Sequence, residues 1–298
     1  MLEANAMVDL HRHLDGSMRM STLKSLAGEQ GLVVPNDIRF HTGMGLHAAL
    51  AKFGFTLSCL QTLDAVQRVA NEMCEDAIEE GLSYLEIRFA PQLHGPIQDV
   101  VEAALSGISG RAGLILCGLY GEPPMVLDEL VRVGVQYPGV VGLDLAGCPL
   151  PSHSWSMRDY APVFQRAGEM GLGRTVHAGE ARPPEEIATA ILELGAHRIG
   201  HGSTLLENDA VLALVLARDV VIEACPTSNV QTGIFDSVAD HPLVKWMDLG
   251  VRVTVCTDNT FLSSVTLPEE MRRVQAIPGM NEEKLRRLVV TGQAAVFT

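Results

Sequence analysis

Eight short apolar runs rich in β-branched residues recur along the 298-residue chain, each separated from the next by a longer segment of helical period. The runs fall at residues 8–11, 83–89, 113–119, 140–146, 174–178, 198–201, 220–224 and 251–256. Helical patterns between and after them include 63–80, 125–136, 157–170, 184–194, 209–218 and 282–296. Strands alternating with helices of this length make βα units around a parallel sheet, and eight such units predict a closed one. The expected fold is therefore α/β: a single (β/α)8 TIM-type barrel, one domain over residues 1–298. A 47% hydrophobic composition is ample for one large core, and barrels routinely reach this length undivided. Thr266-Leu267-Pro268-Glu269 reads as a capping box opening a further helix. The segment 35–60 is too long for a plain crossover and reads as a helical insertion after the first strand. In a barrel enzyme such an insertion lies over the active face.

Charge and cysteine usage narrow the function classes. The formal net charge is −14 with no basic block, which argues against nucleic acid or an anionic membrane as partner. No stretch of eighteen uncharged apolar residues occurs, and Met1-Leu2-Glu3-Ala4-Asn5 lacks the basic-then-apolar order of a signal peptide. Six scattered cysteines without a C-x-x-C pair read as reduced, mostly buried thiols, and the expected location is cytoplasmic.

The chemistry-bearing residues sit at the ends of the strand runs. His11 and His13 close the first; side chains alternating at period two put both imidazoles on one side and Arg12 on the other. The fifth ends in Thr175-Val176-His177-Ala178-Gly179-Glu180, the sixth in Arg198-Ile199-Gly200-His201-Gly202 and the eighth in Val255-Cys256-Thr257-Asp258-Asn259. Any one of the last three alone reads sooner as a hydrogen-bonded core or loop residue than as a catalytic one, and a lone H-x-H reads equally as two polar strand residues. Together they place three histidines, an aspartate and a further His and Glu on one rim. Three imidazoles and a carboxylate suit Zn²⁺, which accepts nitrogen and oxygen ligands and tolerates an added water. Lys24, Lys52, Lys245 and Lys284 are the only lysines, none at a strand end, so no lysine bridges two metals and one zinc per chain is expected. Glu180 and His201 are then left for proton transfer and for orienting water.

These residues spell a pattern. His11-Arg12-His13-Leu14-Asp15-Gly16, Asp144-Leu145-Ala146-Gly147, His177-Ala178-Gly179-Glu180, Arg198-Ile199-Gly200-His201-Gly202, Thr227-Ser228-Asn229 and Thr257-Asp258 together closely resemble the adenosine deaminase family, in order and over essentially the whole chain. The resemblance implies hydrolytic removal of the 6-amino group of a purine nucleoside. It implies His11, His13, His177 and Asp258 as zinc ligands and Glu180 as proton donor to a ring nitrogen. It implies His201 as the group orienting the attacking water, with Asp258 helping to accept its proton. The Gly147 N–H would meet another ring nitrogen and Asp15 the ribose hydroxyls, while Leu46, Ala49, Leu50 and Phe53 would form an apolar lid. Zinc deaminases built on H-x-E and P-C-x-x-C are a different fold, and neither motif occurs here.

Four departures from the family bear on specificity. Asn259 stands where many members have Asp, Cys148-Pro149-Leu150-Pro151 replaces acidic residues after Gly147, Ala49 replaces an aromatic, and the C-terminus falls short of typical members. An amide still donates to a purine acceptor, so Asn259 reads as a working substitute. Residues 46, 49, 50 and 53 share one helix face, so Ala49 predicts a gap over the substrate unless the 148–155 loop fills it. The primary expectation is an adenosine or 2′-deoxyadenosine deaminase. The alternatives are a deaminase of another 6-aminopurine (adenine, a modified nucleoside or nucleotide, aminodeoxyfutalosine) and a non-catalytic barrel. His47 and His153 are candidates for the pocket mouth; Trp155 and Trp246 read as packing residues.

Overall fold

The computed structural model describes residues 7–298; Met1–Asn5, read above for a signal peptide, lie outside them. Eight parallel strands form one sheet in sequence order: β1 (Met7–His13), β2 (Leu82–Phe89), β3 (Gly113–Leu119), β4 (Val140–Ala146), β5 (Gly173–Ala178), β6 (Arg198–His201), β7 (Val221–Ala224) and β8 (Arg252–Val255). Each strand pairs with the next. The seam between β8 and β1 is joined by one bridge, Arg12 to Asp258. There the Asp258 N–H donates to His11 O and the His13 N–H donates to Asp258 O, both at 2.8 Å. The result is a nearly closed (β/α)8 TIM barrel, as the alternating pattern predicts.

The helices wrap the outside because each carries one apolar face. In Leu63–Glu79, Val66, Val69, Ala70 and Met73 are buried, and Thr62 Oγ1 caps its first turn by accepting from Ala65 N–H. Thr266 and Glu269 form the expected capping box. Two expectations need correction. Only Leu46–Cys59 of the 35–60 segment is helical; the residues before it form turns, consistent with Pro35, Gly43 and Gly45, the latter two at positive φ. The 157–170 helix is a 3₁₀ turn, Met157–Tyr160, leading into Ala161–Glu169. Among the described residues no helix is long and apolar enough to cross a membrane. All six cysteines are free, and only Cys148 is not buried.

The barrel interior is not purely apolar. Arg198 donates to Glu86 Oε2 at 2.5 Å and to Ala295 O at 2.7 Å, and its Nε lies 2.7 Å from Glu223 Oε1. Glu86 also accepts from the Phe297 N–H at 2.7 Å. Removing Glu86 would leave the buried Arg198 with Glu223 alone and the Phe297 N–H without its acceptor, and losing one member of a buried charge network is costly. Glu86→Ala is therefore expected to lower the unfolding free energy by about 3–5 kcal/mol. Arg132→Ala, which breaks the exposed pair with Glu129, should leave the transition nearly unmoved. Urea unfolding followed by circular dichroism compares the two.

Candidate active site

Four strand ends meet at the carboxyl mouth of the barrel. His11 and His13 lie in the last three residues of β1, His177 near the end of β5, His201 at the end of β6, and Asp258 just past β8. The Nε2 atoms of His11 and His13 are 3.2 Å apart, as are those of His13 and His177. Asp258 Oδ1 sits 3.5 Å from both His11 Nε2 and His13 Nε2. Ligands 2.0–2.1 Å from a tetrahedral ion lie about 3.3 Å from one another, so these donors fit one divalent cation. Two overlapping groups could hold it: His11, His13 and His177, or His11, His201 and Asp258.

Buried carboxylates behind the histidines settle which ring nitrogen faces the site. Glu223 Oε2 lies 2.7 Å from His11 Nδ1, and Asp144 contacts His177 Nδ1 at 3.1–3.2 Å. A carboxylate only accepts, so each Nδ1 carries the hydrogen and each Nε2 lone pair points at the common centre. Burial alone would raise these acids. Arg88, which donates to both at 2.9 Å, acts with Arg198 on Glu223 and with His177 on Asp144 to hold them well below the usual carboxylate range. Gly200 lets the rings approach: a Cβ there would fall 3.1 Å from His11 Cε1. His201 and Asp258 take positive φ values of 66° and 60°, a conformation that non-glycine residues hold only where the surroundings enforce it.

The short helix Pro226–Gln231 anchors the rim. Glu270 accepts from the Thr227 N–H at 2.7 Å and from the Thr227 hydroxyl. Ser228 Oγ donates to Asp258 Oδ2 at 2.6 Å, and Asn229 Nδ2 lies 3.1 Å from His201 Nδ1. His11, His13 and His201 counter the effect of burial on Asp258 and hold it ionised.

Above the centre lies a cavity of about 210 Å³. His13, His177, Glu180, His201, Asp258 and Asn259 floor it, and Leu46, Ala49, Leu50 and Phe53 face it from the inserted helix. Asp15 and Gly147 line its sides, joined by Phe40, whose ring packs edge-on to Phe53 at 6.1 Å. His11 lies beneath the floor, fully buried. Burial, with the charge of Asp258, pushes the Glu180 carboxyl up to about 7, and burial does the same to Asp15. Asp15 Oδ1 is buried without a partner. Asn259 Oδ1 is likewise unpartnered and packs where a Cβ on Gly16 would fall. None of the residues lining the cavity is a lysine or arginine.

The family profile described as Adenosine deaminase matches residues 7–298. The chain belongs to the adenosine deaminase family. It is 32% identical to the adenosine deaminase of Enterococcus faecalis over 97% of this chain and 91% of that one. It is 35% identical to a probable adenosine deaminase of Dictyostelium discoideum over 97% of this chain, but spans only 40% of that protein's length. In structure it resembles the N6-methyl-AMP deaminase of Arabidopsis thaliana, with a TM-score of 0.86 and 27% identity over 99% of this chain and 93% of that one. Membership makes the chain a hydrolase of the amidohydrolase type.

Of the site residues expected from the sequence, all but His11 line the cavity, and His11 lies beneath them. His47 and His153 do not line the cavity; the His153 ring lies where a Cβ on Gly121 would fall. No residue of the 148–155 loop lines it either. Trp246 is fully buried, as a packing residue should be, whereas Trp155 is exposed. Glu223 and Arg88 went unread. Their signal was a charge inside an otherwise apolar strand run, which a barrel tolerates only when it is paired. Outer carboxylates that orient ligating histidines change metal affinity 10–100-fold, so Asp144→Asn is expected to weaken divalent-metal binding by about that factor. Competition against a chelator, with circular dichroism as a folding control, measures it.

Proposed function

We propose that this chain hydrolyses the 6-amino group of adenosine or 2′-deoxyadenosine, giving inosine or 2′-deoxyinosine and ammonia, from one barrel domain with one zinc held by His11, His13, His177 and Asp258. The observation that carries the reading is the convergence of three imidazole nitrogens and a carboxylate beneath an apolar cavity that also receives Glu180. A zinc ion at that centre supplies the Lewis acidity that makes water a competent nucleophile at neutral pH. The protein's own groups do the rest. Glu180, its carboxyl titrating near 7, donates its proton to a purine ring nitrogen and makes C6 more electrophilic. Asp258 helps accept the proton of the attacking water, and His201 orients that water. The Gly147 N–H and the Asn259 amide meet further ring nitrogens. The unpartnered Asp15 oxygen accepts from ribose hydroxyls. Six free thiols, five of them buried, support a reducing, cytoplasmic setting.

A nucleoside is favoured over a nucleotide because no cationic side chain lines the cavity, and a buried phosphate needs one. A second reading, a bulkier 6-aminopurine nucleoside, is favoured by Ala49. It is buried on the cavity wall between Leu46, Leu50 and Phe53, and no 148–155 residue fills the space an aromatic ring would take.

Glu180→Gln keeps the shape but removes the transferable proton, so kcat should fall about 10²-fold or more while binding changes less. Comparable turnover would move the protonation role elsewhere. Ala49→Phe should raise kcat/KM for adenosine relative to a bulky sugar- or purine-edge analogue by about tens-fold; an unchanged ratio removes the gap. Ultraviolet difference spectra on adenosine, AMP and modified nucleosides read both, with AMP expected to be the poorest substrate.

A further inference from the structure

His201 is reached from outside the cavity by three buried polar groups in series. The N–H of Leu243, at the start of the helix Leu243–Asp248, donates to His241 Nδ1 at 3.2 Å. His241 Nε2 lies 3.3 Å from Asn229 Oδ1, and Asn229 Nδ2 lies 3.1 Å from His201 Nδ1. The Asn229 side chain is fully buried, and His241 and His201 are nearly so. The His241 ring is wedged edge-on between Phe235 and Trp246, at 5.0 and 5.1 Å.

Only one end of this series has a fixed role. A backbone N–H can only donate, so His241 Nδ1 must accept and its proton must sit on Nε2. That N–H needs an acceptor, which turns the Asn229 carbonyl toward His241 and its amide N–H toward His201. His201 Nδ1 then accepts, and its ring proton is forced onto Nε2, the nitrogen that faces the cavity 3.7 Å from Glu180 Oε2. Burial without a facing carboxylate keeps His241 neutral down to about 3, so the series is not interrupted by protonation at its origin.

We infer that Asn229 and His241 are positioning residues that lock His201 in its Nε2–H form, so that it faces the reacting atoms as a hydrogen-bond donor and neither as a metal ligand nor as a resting base. The lock chooses between the two overlapping metal groups. A ligating imidazole needs its lone pair at the metal, which leaves His11, His13 and His177 with Asp258 and excludes His201. It also leaves the water's proton to Asp258 and gives His201 the task of holding the water oxygen. It assigns the Asn229 side chain of the Thr227-Ser228-Asn229 motif a task distinct from that of Ser228, which secures Asp258. That task for His201 rests on the proposed reaction; the tautomer does not.

Zinc-loaded full-length protein with ¹⁵N-labelled histidine tests the lock without turnover, His201 being assigned by loss of its signals in His201→Asn. The expected spectrum shows His201 and His241 each protonated at Nε2 with a bare Nδ1. Asn229→Asp still accepts from His241 but offers His201 a carboxylate, so the His201 proton should appear on Nδ1. Zinc content should persist, and kcat should fall about 10²-fold with KM moving less. His241→Gln keeps a donor toward Asn229 and should retain most of kcat, while His241→Phe should lose it. A wild-type His201 protonated on Nδ1, or an Asn229→Asp protein that keeps the Nε2–H signature, overturns the inference. Absence of turnover on every aminopurine with the Nε2–H signature intact would instead count against the proposed reaction alone.

Discussion

Glu223 is a carboxylate with no access to solvent, held between Arg88, Arg198, Thr175 and His11. It reconciles two guanidinium groups with the floor of the barrel. It also fixes the proton of His11 on the side away from the cavity. Arg88 carries the same influence to Asp144, and Asp144 fixes His177. The lone pairs at the mouth therefore depend on charges one layer below it. Buried ion pairs are often no more stabilising than apolar residues of the same volume; what this charged layer supplies is orientation. The outer layer repeats the device. Arg12, between the two histidines of β1, is paired with Asp9 at 2.9 Å and with Glu80 beyond the helix Leu63–Glu79, so it pins the strand that carries them.

Closure of the barrel and assembly of the site are one event. β8 meets β1 through Asp258 and the backbone of His11 and His13, so the seam cannot open without separating the carboxylate from the imidazoles. Asp258 and His201 both adopt left-handed backbone conformations at this rim. Their side chains are secured by neighbours in one short helix, Ser228 for Asp258 and Asn229 for His201. Strain of this kind persists because hydrogen bonds on both sides over-determine it.

The cavity divides its labour by chemistry. Its floor is polar and titratable, and its roof, the helix Leu46–Cys59, is apolar. Excluding water by an apolar roof strengthens the electrostatics of the floor and lifts the Glu180 carboxyl toward neutrality. Ala49 and Asn259 sit on these two surfaces, one shaping the roof and the other offering an amide at the floor.

How much of this was legible in the sequence follows from the range of each interaction. Local rules determined the strands, the outer helices and the capping box at Thr266, because periodicity and caps act over a few residues. They also placed His11, His13, His177, His201 and Asp258 at strand ends, since parallel strands of a barrel all finish at one mouth. The turns of residues 35–45 were misread as helix, although Gly43 and Gly45 were there to mark them. The pairing of Glu223 with Arg88, Arg198 and His11, the seam made by Asp258, and the relay from Leu243 to His201 belong to the tertiary structure alone. Each joins residues far apart in the chain, and a buried charge announces that it needs a partner without saying which one. Only the closed barrel, by removing water from every such group at once, decides the pairing.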